Sequence, residues 1–228
     1  MIIEIIADSV TDAITIEKAG ASRIELVSAM SEGGLTPSYG LIEEVCRQVE
    51  IPVNVMIRPH SRSFCYSEQD LQVMERDIRV CRKLGATGVV FGALTADKQI
   101  DEGHVTRLLK AAEGLDVTFH RAFDEASDLV AALHKLKQYP QISRILTSGG
   151  QAKAVEAIEQ FQQLTPLVDS SGLQLLAGAG LTPENIEAFL EEVAVSEVHF
   201  GSAVRIDASF GCTVDFSKLK RLVEQLAN

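Results

Sequence analysis

At 228 residues the chain is long for a small domain and short for two full ones, and its hydrophobic share of 46% is ordinary for a soluble globular protein. A formal net charge of −11 argues against nucleic acid and anionic membrane as partners, because both need clustered Lys and Arg. No apolar run approaches the roughly 20 residues of a membrane-crossing helix. The N-terminal MIIEIIADSV holds Glu4 and Asp8 among its apolar residues with no cationic segment ahead of them, so it reads as a first strand rather than a signal peptide. One domain over residues 1–228, located in the cytoplasm, is the expectation. The four cysteines form no C-x-x-C pair and no zinc-like spacing; Cys46 and Cys81 fall in apolar helical patterns as buried hydrophobes, and only Cys65 sits in a polar loop.

Short apolar runs rich in β-branched residues recur in chain order at 2–7, 23–27, 53–59, 88–94, 116–123, 144–148, 173–179 and 197–203. Between them, helical periodicity predicts segments starting near Val10, Ser38, Ser67, Asp101, Glu125, Gln151, Pro183 and Val214. Strict alternation of eight strands with eight helices implies parallel pairing and matches a minimal (β/α)₈ TIM barrel. An open doubly wound sheet is the alternative. An internal echo, GGLTPSYGLIEEV from Gly33 and GAGLTPENIEAFL from Gly178, places Thr36 and Thr182 as N-caps with Pro37 and Pro183 at the first helical position.

Strand residues alternate in direction, so polar residues in otherwise apolar strands point into the barrel or to its C-terminal rim. In the third strand Asn54, Met56 and Arg58 share the inward face, opposite Val53, Val55 and Ile57. The same parity turns Glu4, Glu25, Thr118, His120 and His199 inward. Buried charges need partners, so Glu4 and Glu25 are expected to pair with Arg58 or to hydrogen-bond the histidines. His120, late in its strand in TFHRAFD, becomes a rim imidazole able to act as acid, base or ligand, with His199 a second. Glycine-rich turns after the sixth, seventh and eighth strands offer backbone N–H groups for an anion, with Ser148, Gly149, Gly150, Gly178, Gly180, Gly201 and Ser202 the candidates; tight turns without ligand would need the same glycines.

The loop after the third strand, within NVMIRPHSRSFCYSEQD, carries Met56, His60 and Cys65, a ligand set suited to copper. It also carries Arg58 and Arg62, cations that anion sites require. Ser67 and Asp70 read as a capping box, which puts Cys65 two residues before a positive helix end that favours a thiolate. Met56, inward on its strand, reads as core filler, leaving Cys65 and His60 as the candidate metal ligands.

The motifs GASRIEL, GGLTPSYG, VNVMIRP, MERDI, GVVFGALTADKQID, TFHRAFD, RILTSGG, AGAGLTPEN and VHFGSAV, in this order along essentially the whole chain, resemble the CutC family of copper homeostasis proteins. The resemblance implies a TIM barrel, a cytoplasmic location, homo-oligomers (dimer or tetramer) and an association with copper. A cysteine that commonly follows IEL in this family, and is a favoured copper-ligand candidate, is here Val27. Two functions follow: a protein that binds copper through Cys65 and His60, or an enzyme acting on a small anionic or phosphorylated molecule. In the second, Arg58 clamps the anion, His120 is acid or base, Glu25 orients or exchanges protons, and His199 stands beside them at the rim.

Overall fold

Eight parallel strands close into a barrel in sequence order: β1 (Ile2–Ala7), β2 (Arg23–Leu26), β3 (Val53–Met56), β4 (Gly88–Phe91), β5 (Asp116–Phe119), β6 (Ile142–Thr147), β7 (Gln174–Ala177) and β8 (Glu197–Phe200). The structure, a computed structural model, describes residues 1–168 and 172–227. Closure comes from β1 pairing with both β2 and β8, Glu4 standing opposite Arg23 on one side and His199 on the other. The open-sheet alternative is thereby excluded.

The helices are α1 (Val10–Ala19), α2 (Tyr39–Gln48), α3 (Glu68–Lys83), α4 (Glu102–Ala111), α5 (Leu129–Leu136), α6 (Ile158–Val168), α7 (Ile186–Glu192) and α8 (Phe216–Leu226). Their starts follow from local hydrogen bonding. Ser67 accepts from the Asp70 backbone N–H while the Asp70 carboxylate accepts from the Ser67 N–H, a capping box that opens α3. Asp101 and Asp215 cap α4 and α8 by one bond each, accepting from the backbone N–H of His104 and of Lys218.

One cap and three helix starts differ from the sequence expectation, while α2 starts after Ser38 as its periodicity indicates. Ser38, not Thr36, caps α2, because the Thr36 hydroxyl accepts the Arg58 backbone N–H at 2.8 Å and ties the loop to the end of β3. Thr182 and Pro183 begin a turn whose Asn185 precedes α7. The segments from Glu125 and Gln151 run first through the 3₁₀ turns Arg121–Glu125 and Ala154–Glu156, so α5 and α6 start later than their periodicity suggests. β3 and β5 are also shorter than their apolar runs, because residues such as Arg58 and His120 leave the sheet at the rim.

The face of each strand follows the parity argument. Val53, Val55 and Ile57 join the large core between barrel and helices, whereas Met56 packs inside with Ile6, Val27 and Val90. Below these the interior is polar. Arg23 donates to Glu4 and, at 2.5 Å, to Glu197; Arg144 donates to Glu197 at 3.0 Å, to Asp116 at 2.5 Å and to the Thr118 hydroxyl at 2.9 Å. Arg144 binds Asp116 beside Gly88, where a Cβ would meet the Asp116 carbonyl at 2.7 Å, so only glycine lets the interior close there.

Candidate functional site at the barrel mouth

A cavity of about 350 Å³ opens at the C-terminal ends of the strands. Glycine on the inward face creates its room. A Cβ on Gly92 would meet the His120 ring at 2.7 Å, one on Gly178 would meet Leu146 at 2.7 Å and His199 at 3.2 Å, and one on Gly201 would meet Phe210 at 2.9 Å. Ile6, Val27, Met30, Met56 and Leu146 form an apolar floor, and Phe64 and Phe210 stand at the walls. Glu25, Arg58, His120 and His199, the four candidates for chemistry, all line this one space.

Their electrostatics divide them. His199 Nδ1 lies 2.8 Å from Glu4 Oε1, and its Nε2 lies 3.6 Å from Glu25. Burial opposes charge on the imidazole, but the Glu4 hydrogen bond and the charges of Glu25 and Glu4 outweigh it and raise the His199 pKa. Burial would likewise raise Glu4, yet Arg23 and His199 hold it at about 2. Among the described residues inside the barrel, Arg23, Arg144 and the His199 imidazole thus face the carboxylates of Glu4, Glu197 and Asp116. Glu25 is the carboxyl left over: its Oε1 is buried without a hydrogen-bond partner, and burial, partly countered by His199, pushes its pKa up to about 7. A carboxyl that half-ionises near neutrality is suited to take and return a proton.

His120 is of another kind. Its Nδ1 accepts the Ala122 backbone N–H at 3.1 Å, its ring packs 4.7 Å from Phe64, and its Nε2 is buried without a partner. Burial and the nearby Arg58 charge lower its pKa to about 3, so the imidazole is neutral at physiological pH. Arg58 pairs with neither Glu4 nor Glu25. Its Nη1 donates to the carbonyls of Glu32, Gly33 and Gly34 at 3.1–3.3 Å, while its guanidinium lies 4.6 Å from the Phe64 ring centroid. It braces the loop after β2 and lends the mouth a positive field.

The glycine turns also separate. After β6, the Asp124 carboxylate accepts the backbone N–H groups of Ser148 and Gly150 and the Ser148 hydroxyl, and Arg121 binds it at 2.7 Å. Gly149 donates to the Thr147 hydroxyl, and Gly178 to the Thr147 carbonyl. An internal carboxylate therefore occupies the place an anion would take at Ser148, Gly149 and Gly150, and none of these residues lines the cavity. Gly180, Gly201 and Ser202 do line it, as do Leu181 and Ala203. Among the described residues, the backbone N–H groups of Gly180, Leu181, Ser202 and Ala203 donate to no other group of the chain. These four donors, two after β7 and two after β8, lie in the loops where barrels of this fold commonly hold an anion.

Met56, His60 and Cys65 do not share one shell. Met56 is in the cavity, whose walls include neither of the others. His60 lies 3.4 Å from Asp70 and against Tyr66, and Cys65 is an exposed thiol. Among the described residues no group of three or more His, Cys, Asp or Glu is placed to hold a metal ion.

Sequence reasoning missed Asp124 as the filler of the β6 turn, the N–H groups of Leu181 and Ala203, and the brace beneath Phe210. Arg205, only 1% exposed, bonds Asp12 at 2.9 Å, Asp8 at 3.2 Å and the Ile6 and Cys212 carbonyls, and lies 4.6 Å from the Phe210 centroid. Phe210 left one signal, an aromatic residue standing alone in a polar loop.

The fold defines a (β/α)₈ barrel protein with its candidate site in the cavity at the C-terminal face. The chain belongs to the CutC family, whose model matches residues 1–204. It is 40% identical over 202 residues to a CutC family protein of Glaesserella parasuis, covering 89% of this chain and 82% of the relative. It is 41% identical over 198 residues to the human copper homeostasis protein cutC homolog, covering 87% and 72%. The crystal structure of CutC from Streptococcus agalactiae superposes with a TM-score of 0.82 at 33% identity, over 88% of this chain and 98% of that one. Phosphoribosylanthranilate isomerase from Thermotoga maritima, at TM-score 0.62 and 14% identity over the whole of both chains, shares the fold alone.

Proposed function

We propose that this chain is an enzyme acting on a small anionic molecule, such as a phosphorylated one, at the barrel mouth. One observation carries the reading: a single cavity of about 350 Å³ joins a spare carboxyl of pKa about 7 to four backbone N–H donors without acceptors. The N–H cradle and the field of Arg58 hold the anionic end, and Glu25 exchanges a proton with the rest of the substrate. The His199 imidazole, whose pKa Glu4 helps to raise, favours the ionised form of Glu25 and holds its pKa near neutrality rather than higher. Glu25, His120 and His199 are all buried, which strengthens the interactions they make.

Thermal shift with inorganic phosphate and a panel of small phosphorylated hydroxy-carbonyl compounds tests the reading. At least one is expected to raise the melting temperature of the parent but not of Ala203→Glu, which sets a carboxylate against the cradle. No rise with any of them, or an equal rise in the variant, overturns it.

A second reading, copper binding, draws on the names of the relatives and on the exposed Cys65 thiol two residues before the α3 cap. Copper is then cargo held by Cys65 with His60, since Met56 belongs to the cavity. Competition of purified protein against a strong Cu(I) chelator decides it: retention lost in Cys65→Ser supports the site, and no retention, or retention unchanged in the variant, sinks it. The proposal also places the chain in the cytoplasm as a homo-oligomer, dimer or tetramer, for which exposed Tyr39, Val73, Ile206 and Phe216 offer apolar contact area. Among the described residues no helix is long and apolar enough to cross a membrane. Light scattering of the purified protein measures the oligomeric state, and a monomer would refute that part.

A further inference from the structure

We propose that His120 is a catalytic hydrogen-bond donor rather than an acid or base, and that the reaction is proton abstraction from a carbon next to a carbonyl whose oxygen His120 Nε2–H holds. This deepens the small-anion reading above and rests on it. Three geometric facts lead here. The Ala122 N–H at 3.1 Å can only donate, so Nδ1 must be its acceptor and the ring proton of the neutral imidazole sits on Nε2. That Nε2 is buried, and no group of the chain accepts from it. The residue is 3% exposed and lines the mouth cavity together with Glu25.

A buried donor left unmatched is costly, and such a group persists where a ligand supplies the acceptor. The groups that face His120 are the cations Arg58 and Arg121, the second of them paired with Asp124, and the ring of Phe64. Burial and the charges of Arg58 and Arg121 keep a further positive charge off the ring, so His120 has no proton to give as an imidazolium. What it offers is a fixed dipole aimed at an oxygen. Preorganised donors of this kind stabilise charge as it develops, without reorganising during the reaction.

The step balances within the site. The Glu25 carboxylate takes the proton from the carbon, the C–H electron pair forms a carbon–carbon double bond, and the carbonyl pair moves to oxygen. The resulting enolate oxygen accepts from His120 Nε2–H. Protonated Glu25 then returns its proton to the neighbouring carbon, as the hydroxyl proton on the first carbon passes directly to the enolate oxygen and that hydroxyl becomes the new carbonyl, giving the isomer without any redox partner. The cradle of Gly180, Leu181, Ser202 and Ala203 fixes the anionic end. The substrate class is thus a small hydroxy-carbonyl compound with a phosphate or carboxylate terminus.

Imidazole ¹⁵N NMR of histidine-labelled protein tests the assignment, with 2-phosphoglycolate as probe because its carboxylate stands in for the enediolate. His120 is expected as the neutral Nε2–H tautomer from roughly pH 5 to 9, and its Nε2–H resonance should move when the probe binds. Titration of His120 within that range, or an Nδ1–H tautomer, overturns the proposal while leaving the anion site standing. So does probe binding, reported by the Leu181 and Ser202 amides, that leaves Nε2 unmoved. Absence of binding defeats the small-anion reading and this proposal with it. Probe affinity should fall about tenfold or more in His120→Leu and largely recover in His120→Gln, whose amide can donate from the same side; equal affinity in parent and Leu variant also refutes it.

Discussion

Replacing Glu25 by Gln tests whether the barrel interior holds one carboxyl too many. Burial disfavours the Glu25 carboxylate, and ionising it would add a fourth carboxylate where Glu4, Glu197 and Asp116 already face Arg23, Arg144 and His199, so the folded protein prefers it protonated. Its pKa rises from the ordinary 4.5 to about 7. A carboxyl raised in this way is harmless below 4.5, where it is protonated in both folded and unfolded chains. As the pH climbs from 4.5 to about 7 the unfolded chain releases the proton first, and folding loses stability. At roughly 1.4 kcal/mol for each tenfold change in proton affinity, the loss amounts to about 3 kcal/mol. The neutral amide is spared it. Urea denaturation of parent and Glu25→Gln at intervals between pH 4 and 8 should therefore show the variant gaining relative stability across this window and levelling off above it. The same variant should be inactive in proton exchange. Parallel stability profiles, or a parent that gains stability through the window relative to the variant, would refute the charge count on which the proton-transfer role of Glu25 depends.

Other substitutions probe the supporting structure. Gly88→Ala forces a methyl against the Asp116 carbonyl at 2.7 Å, which as backbone cannot swing aside, and should cost roughly 1–3 kcal/mol by thermal denaturation. Asp124→Ala strips the acceptor from two backbone N–H groups and from Arg121. It should destabilise by about 2 kcal/mol, and inorganic phosphate should then raise the variant's melting temperature more than the parent's; equal responses would show that the β6 turn is no anion site even when vacated. Ser67→Ala removes the α3 cap and should cost about 1 kcal/mol with no change at the mouth.

The extent to which this was readable beforehand depends on how far each residue's partners lie along the chain. β1 spans residues 2–7 as its apolar run proposed, and the Ser67–Asp70 box opens α3, because both are decided by neighbours within a few positions. Parity alone turned Met56 and Arg58 inward and brought Glu25, His120 and His199 to one mouth. What parity cannot say is which charges meet. Arg58 answers three carbonyls of the loop after β2, and Glu4 answers Arg23 and His199 across two strand pairings. The glycines misdirect for a similar reason: TSGG has the composition of a phosphate turn, but Asp124, more than twenty positions earlier, already fills it. Arg205 gave no local signal, since Asp8 and Asp12 stand at the other end of the chain. The resemblance in sequence motifs led to the family and to the fold; the chemistry had to come from the site.

The central claim is that the mouth binds a small anion through the loops after β7 and β8. Backbone amide chemical-shift mapping with inorganic phosphate, and separately with Cu(I) under reducing conditions, tests it most directly. The account predicts saturable shifts at Gly180, Leu181, Ser202 and Ala203 with phosphate. Shifts confined to the 60–65 loop with Cu(I), and none at the four amides with phosphate, would contradict it.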